Sequence, residues 1–285
     1  MSNIGIVIDS TCSVSDAQVT KYQIEEVPVQ IIVEGTTYYD RVDSTTESIL
    51  ALMNQGNKVT TSQPSPEAFA QAYRALQAKG FDSVVVITIS AALSGTYQSA
   101  VIAAELVEGM SVEVIDTKSS SMIGDLVMYH IEQRLTQGME LKQLAAEVRE
   151  AIQGMRSILT INNLDTLFKT GRLTRSQAFI GNALQVKPML ITDPDGKMEL
   201  ADRIRSTKKA MEYLVTKIRE SIPAGRKPFI SVGHIQAPEK LESVSTVLQT
   251  AFPQAVIVPA REISPVVAVH LGKGGYGICW MTIPE

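Results

Sequence analysis

Four apolar, β-branched runs in the first half of the chain alternate with segments of helical pattern. The runs cover residues 4–10, 27–33, 83–89 and 111–117. They are apolar nearly throughout, which is typical of strands that helices cover on both faces. The sequence predicts helices over residues 65–80, 96–108, 120–137 and 140–153. This alternation predicts an α/β fold whose N-terminal domain contains a parallel, doubly wound sheet.

The pattern changes near residue 155, where we place a domain boundary. A polar segment with three cations follows residue 162, and a hairpin is predicted around the turn Asp193–Gly196. Further helices are predicted over 206–221 and 238–250, and strands over 228–234, 254–260, 266–271 and 277–283. We therefore expect an N-terminal domain over 1–155, with a small polar excursion near 34–60, and a C-terminal α+β domain over 156–285.

Composition and charge exclude several classes of function. The 285-residue chain has a formal net charge of -4 and a pI near 5.6, so it has no basic footprint for nucleic acid. The sequence shows no signal peptide and no apolar run long enough for a membrane span, so we expect no stable membrane insertion. Two cysteines without a CxxC pair favour a cytoplasmic protein.

The motifs for nucleotides and metals do not fit. The sequence has no P-loop, and the GxGxxG at Gly272–Gly277 is followed by a predicted strand where a dinucleotide site needs a helix. We interpret it as a tight glycine turn in which the backbone approaches a neighbour closely. The three histidines lie far apart and lack the spacing of metal ligands. Four acids could converge at strand ends, but acids are common there: Asp9, Asp40, Asp43 and Asp116. We predict no metal and no cofactor.

The stretch LSGTYQ, which contains Ser94, Gly95 and Thr96, lies between a predicted strand and a predicted helix. The first turn of a helix presents unpaired N–H groups that suit a carboxylate or a phosphate, and Gly95 lets a ligand approach the backbone. A second hydroxyl-rich turn is predicted over residues 60–65, before the helix at 65–80, and could face the same crevice. The alternative is that these hydroxyls only cap helices.

A serine hydrolase with Ser94 as nucleophile and His270 as base is the alternative function. Its nucleophile elbow, GxSxG, would require glycines where this chain has Ala92 and Thr96. A third hypothesis is a sensor whose bound ligand changes a contact with another protein.

Several motifs in order along the chain resemble the DegV family, the fatty-acid-binding proteins that serve a bacterial fatty acid kinase. They are IGIVIDSTCSV, TTSQPSPEAF, ISAALSGTYQSA, VIDTKSSSMIGD, NLDTLFKTGRLTR, LQVKPMLITDPDGKM, RIRSTKK and VVAVHLGKGGYGI. The resemblance covers nearly the whole chain.

The resemblance implies a carrier without its own enzymatic activity. It would hold one long-chain fatty acid in an apolar tunnel between the domains. It would present the carboxylate to a separate kinase, yielding an acyl phosphate for phospholipid synthesis. The motifs place the ligand-binding residues at Thr61, Ser62, Ser94, Gly95, Thr96 and His270. They place basic residues that face the phosphoryl group or the kinase at Arg172 and Arg205. The chain departs from the family at Leu271, where a small polar residue is expected.

Overall fold

Strands and helices alternate along the chain in a computed structural model that describes residues 3–162, 164–173 and 186–283. The strands are β1 (Ile4–Asp9), β2 (Glu25–Val27), β3 (Gln30–Val33), β4 (Thr36–Tyr39), β5 (Val59–Ser62), β6 (Ser83–Thr88), β7 (Ser111–Asp116), β8 (Arg156–Thr160), β9 (Lys187–Thr192), β10 (Met198–Ile204), β11 (Pro228–His234), β12 (Val256–Ile257), β13 (Arg261–Glu262) and β14 (Tyr276–Thr282). The helices are α1 (Asp16–Tyr22), α2 (Thr46–Asn54), α3 (Pro66–Ala78), α4 (Thr96–Ala104), α5 (Ile123–Leu135), α6 (Leu141–Gly154), α7 (Asp165–Lys169), α8 (Thr207–Ser221), α9 (Pro238–Ala251) and α10 (Pro265–Leu271).

The first sheet is parallel, in the order β2-β1-β6-β7, as the sequence predicts. Its two central strands, β1 and β6, are almost entirely buried because α3 and α4 cover one face and α6 lies against β6 and β7. Ser65 caps α3 by accepting the N–H of Ala68, and Pro66 occupies the first turn. The predicted α/β fold with a parallel sheet is confirmed.

The second sheet is mixed, in the order β10-β9-β8-β14-β11-β12, with β13 beside β11. The first strand of this sheet along the chain, β8, begins at Arg156. Helices α8 and α9 pack over one of its faces, around Leu214, Ile230 and Trp280. The hairpin of β9 and β10 forms as predicted, with Gly196 at a φ of 82° in its turn. The other face, which includes Leu190 and Cys279, joins the buried cluster of the first half.

A third, three-stranded antiparallel sheet, β4-β3-β5, corrects one predicted strand. Residues 27–33 were expected to form a single strand, but Val27 ends β2 in the parallel sheet and Gln30 begins β3 in the small sheet. Pro28 lies between them and has no N–H to continue a ladder. The excursion near 34–60 therefore supplies β4 and the start of β5 to this small sheet, and it also contains helix α2. The predicted strand at 254–260 is reduced to Val256–Ile257.

The predicted strand over residues 266–271 is wrong, because these residues belong to helix α10. Pro265 occupies the first turn of that helix, and Ser264 precedes it. Every residue of α10 except His270 is buried, since the helix packs against α2, α7 and β5. A short helix that is buried all round has no polar face, so its sequence lacks the helical period and resembles a strand.

The glycine-rich segment that follows α10 forms a tight turn into β14. Gly272 and Gly274 have φ angles of 72° and 84°, and Asn162 donates a hydrogen bond to the carbonyl of Lys273. A Cβ at Gly274 would collide with the Asn162 amide. A strand follows the glycines, so no helix N-terminus is available there for a pyrophosphate.

The boundary near residue 155 stays a prediction, since buried apolar residues from both halves pack in one cluster. Parts of the motifs NLDTLFKTGRLTR and LQVKPMLITDPDGKM lie outside the described residues. Both cysteines are free and buried. Across the described ranges, no helix combines the length and apolar character that crossing a membrane requires.

Candidate functional site

The turn that carries Ser94 connects the carboxyl end of β6 to the first turn of α4. Gly95 is the N-cap residue of α4 and provides no side-chain cap. The Ser94 Oγ lies 2.8 Å from the Thr96 Oγ1 and accepts the Thr96 N–H at 3.3 Å. One of the two hydroxyls donates to the other, so the proton of the accepting hydroxyl remains available to a further acceptor. The turn is thus a donor site of two coupled hydroxyls.

Thr61 and His270 meet across 209 positions of sequence. The Thr61 Oγ1 lies 3.0 Å from the His270 Nε2, because α10 packs against β5. Thr61 lies inside β5 and pairs with Ile31 of β3, so residues 60–62 form a strand and not the hydroxyl-rich turn that the sequence predicted. Among the described residues, the buried Nδ1 of His270 has no hydrogen-bond partner.

Arg172 supplies positive charge beside this pair. Its Nε donates to the carbonyl of Leu93 at 3.3 Å, and its Nη1 donates to the carbonyl of Thr170 at 2.6 Å. These bonds place the guanidinium next to the Ser94 turn. Burial, and secondarily the charge of Arg172, lower the pKa of His270 from 6.5 to about 4. The imidazole is therefore neutral near pH 7.

The stability of the fold should depend on pH through His270. Below pH 6.5 the unfolded chain protonates this histidine while the folded chain does not, so the free energy of unfolding should fall as the pH decreases towards 4. The contribution is about 3 kcal/mol. Denaturant unfolding across this pH range should show this decrease in the free energy of unfolding in wild type and not in His270→Gln.

An NMR titration of the His270 ring checks the same prediction directly. Its midpoint should lie near pH 4 in wild type. The Arg172 charge disfavours a protonated imidazole, so the midpoint should rise in Arg172→Gln, where that charge is absent. A wild-type midpoint near that of an exposed histidine would contradict the assigned charge state.

Helix α10 is held in place at its first turn by Asp40. The Asp40 Oδ1 accepts the N–H of Val266 at 2.8 Å, and the Thr46 hydroxyl donates to the carbonyl of Ile263 at 3.0 Å. Burial raises the pKa of Asp40 to about 7. Asp40 is one of the strand-end acids that could bind a metal on the basis of sequence alone. Within the described ranges, no three His, Cys, Asp or Glu residues are grouped to hold a metal ion.

A cavity of about 60 Å³, here called the first cavity, joins these groups to an apolar wall. Its lining residues are Thr11, Val29, Thr61, Ile89, Leu93, Ser94, Ser120, Leu167, Arg172, Met198, Val266, Val267, His270 and Leu271. Polar groups converge where β5, α10 and the Ser94 turn meet, and aliphatic side chains form most of the remainder. This arrangement suits an amphiphile with an anionic head.

A second cavity, of about 30 Å³, lies between the segment 119–122 and the second sheet. Its lining residues are Ser119, Ser120, Ser121, Met122, Ser157, Ile158, Leu159, Leu190, Ile191, Thr192, Met198, Ile263, Leu271, Ile278 and Cys279. Three residues, Ser120, Met198 and Leu271, line both cavities. The two cavities are therefore neighbours.

The predicted site residues divide into two groups. Four of them line the first cavity: Thr61, Ser94, Arg172 and His270. The other four do not line it. They are Ser62, which neighbours Thr61 in β5, Gly95 and Thr96 at the start of α4, and Arg205, which is exposed between β10 and α8. Of these, Thr96 still contacts the site through its bond to Ser94.

Sequence reasoning missed several apolar lining residues and one polar contact. Leu167, Met198 and Val267 carry no motif, since aliphatic residues are equally common in cores and in ligand cavities. The Gln63 side chain lies so close to Gly95 that a Cβ there would collide with it. Gly95 therefore makes room for a neighbouring side chain.

The geometry does not support a serine hydrolase. The Ser94 hydroxyl is bonded to Thr96, and the His270 Nε2 is bonded to Thr61. A triad also needs an acid that orients the histidine, whereas the Nδ1 of His270 bonds to none of the residues that the structure describes. A histidine with a pKa of about 4 is a weak general base at neutral pH.

Comparisons with known proteins show which family this sequence and fold resemble. A DegV domain-containing protein of Caldanaerobacter subterraneus is 32% identical over 250 residues, which cover 88% of this chain and 89% of that protein. The structure of a DegV family protein from Thermus thermophilus, described as fatty acid binding, has a TM-score of 0.90 at 30% identity and covers 99% of this chain and 100% of that one. DegV of Bacillus subtilis, described as a fatty acid binding protein, has a TM-score of 0.89 at 27% identity, with coverage of 99% and 100%. A family model described as an uncharacterised protein of the DegV family matches residues 3–282. The chain belongs to the DegV family.

Proposed function

We propose that this chain is a carrier that binds a long-chain fatty acid and holds its carboxylate at Thr61 and Ser94. The observation that carries the proposal is the first cavity, where two hydroxyls, a neutral histidine and an arginine meet and where most of the remaining wall is aliphatic. Relatives of similar fold that are described as fatty acid binding support it.

The hydrogen bonds of the site suit a carboxylate acceptor. A neutral His270 that carries its proton on Nε2 donates to the Thr61 Oγ1, which leaves the Thr61 proton free to point at the ligand. The proton left over by the Ser94–Thr96 pair is a second donor. Arg172 adds positive charge nearby. These donors satisfy a charge that would be costly to leave unpaired in a dry cavity.

The alkyl chain supplies most of the affinity. A buried methylene contributes about 0.8 kcal/mol, so a chain with roughly fifteen of them gains on the order of 10 kcal/mol before ordering costs. We assign the path of this chain to the two neighbouring cavities, so that it would run from the polar end towards the second sheet. The proposed tunnel thus lies between the two halves of the protein.

A separate kinase would phosphorylate the bound carboxylate. The sequence has no P-loop, so we assign the ATP site to a partner. A carboxylate oxygen would take the terminal phosphoryl group of ATP, ADP would leave, and the acyl phosphate would stay bound. Arg172 would stabilise the added negative charge, and the exposed Arg205 would face the kinase.

Organic extraction of the purified protein and mass spectrometry of the released lipid test the proposal. One fatty acid per chain is the expected result. A preparation without lipid that also fails to take up added fatty acids would contradict it.

Arg205→Ala should separate lipid binding from phosphorylation. Arg205 lies outside the first cavity, so fatty acid occupancy should stay unchanged. Phosphorylation of the bound lipid by the kinase should slow by about tenfold, since an exposed charge at an interface acts mainly on association. The kinase assay with saturating fatty acid measures this, and Lys142→Ala, an exposed cation on α6, is the matched control. Equal rates for wild type and Arg205→Ala would remove Arg205 from the interface.

A further inference from the structure

Met198 and Leu271 are shared by the first cavity and the second. Both side chains line both cavities, together with Ser120. Met198 is the first residue of β10, and Leu271 is the last residue of α10. Both are buried, with exposed fractions of 8% and 6%. An alkyl chain that extended from the polar end into the second cavity would therefore contact these side chains.

The backbones that carry the two side chains are held by hydrogen bonds elsewhere. The tip of the β9–β10 hairpin is bound to the first sheet, because the Ser90 hydroxyl donates to the carbonyl of Gly196 at 2.8 Å. The first turn of α10 is bound to Asp40, and Gly272 ends the helix. Shortening either side chain therefore removes atoms from the walls that the two cavities share and leaves these bonds in place.

The first cavity alone is too small for a long chain. Its 60 Å³ corresponds to about four water molecules, and a methylene group is similar in size to a water. The remaining methylenes must displace side chains or continue into the second cavity. Methionine is unbranched and has three rotatable bonds, so Met198 can adapt its shape, whereas the branched Leu271 is more rigid.

We propose that Met198 and Leu271 determine the acyl chain length that the protein accepts, an inference that rests on the proposed fatty acid binding. Removing part of either side chain opens the way into the second cavity and favours longer chains. Each methylene that gains room raises the affinity about fourfold, which is its burial energy converted to a binding ratio. Enlarging either side chain closes the way and favours shorter chains.

A competition experiment tests this. Purified wild type, Leu271→Ala, Met198→Ala and Leu271→Phe are each incubated with an equimolar mixture of saturated fatty acids from decanoate to eicosanoate, and the bound lipid is extracted and identified by mass spectrometry. Both alanine variants should shift the profile towards longer chains, by about fourfold for each added methylene. Leu271→Phe should shift it towards shorter chains. If an alanine variant fails to fold, Leu271→Val, which removes a single carbon, should also shift the profile of bound lipid towards longer chains.

Met211→Ala is the matched control. Met211 is buried on α8, in the cluster on the other face of the second sheet, and lines neither cavity. Its variant should keep the wild-type profile. If wild type binds fatty acids and the profiles of all variants coincide, the inference is wrong while the proposed function stands. If Met211→Ala shifts the profile as strongly as Met198→Ala, general loosening explains the shift and the inference is overturned. If wild type takes up no fatty acid, the proposed function itself fails.

Discussion

Replacing Ser94 by alanine should weaken fatty acid binding about 10- to 100-fold. The Ser94–Thr96 pair offers one hydroxyl proton to the ligand, and a hydrogen bond to a charged group contributes about 1.5–3 kcal/mol. Without the Ser94 hydroxyl, Thr96 loses its hydroxyl partner and the carboxylate loses a donor. Titration calorimetry with a fatty acid, or displacement of a fluorescent analogue, measures the change in Kd.

Ser65→Ala is the matched control for this prediction. Ser65 is exposed and caps α3 by accepting the N–H of Ala68 at 3.2 Å, so its loss should lower the free energy of unfolding by about 1 kcal/mol. It lines neither cavity, and its variant should bind fatty acids as wild type does. An unchanged Kd in Ser94→Ala would remove Ser94 from the carboxylate site.

The position of Ser94 was predictable because it depends on local sequence. An apolar run, a polar turn and a helical pattern follow one another, and in a parallel sheet such a turn lies at the carboxyl edge where ligands bind. The strands β1, β6 and β7 were predicted for the same reason, since runs of β-branched residues are strong local signals.

The pairing of Thr61 with His270 could not be derived from local sequence. It depends on β5 lying beside α10, and both elements were assigned differently from sequence, the first as a turn and the second as a strand. The apolar character of α10 reflects burial on all sides, which hides its helical period. Resemblance to a family supplied both residues, and the tertiary contact supplies the physical reason for their proximity.

The role of Asp40 was likewise outside the reach of sequence reasoning. An acid near a strand end is compatible with a metal site, a surface charge or a structural bond. Its contact with the Val266 N–H, 226 positions away, shows a structural bond to the helix that carries His270. Long-range hydrogen bonds of this kind leave no periodic trace in the sequence.

Arg261→Met should lower the free energy of unfolding by about 3–5 kcal/mol at neutral pH, because it leaves the buried Asp125 carboxylate unpaired. The Arg261 Nη2 donates to Asp125 at 2.5 Å, and the Ser231 hydroxyl donates to the same carboxylate. Asp125 belongs to α5, whereas Ser231 and Arg261 belong to β11 and β13. The pair therefore connects α5 to the second sheet. Arg261→Lys keeps the charge, so it should lower the free energy of unfolding by less than Arg261→Met does.

The loss of unfolding free energy in Arg261→Met should become smaller as the pH falls. This pH dependence distinguishes an unpaired charge from a packing defect. Burial raises the pKa of Asp125, and the charge of Arg261 opposes that rise. Without the arginine the pKa rises further, so Asp125 takes up a proton in the folded variant before it does so in the unfolded chain. Protonation then stabilises the folded variant progressively below its raised pKa. Urea unfolding of wild type and Arg261→Met at mildly alkaline and mildly acidic pH measures both differences, and an equal loss at the two pH values would mean that the methionine disturbs packing and that charge pairing contributes nothing.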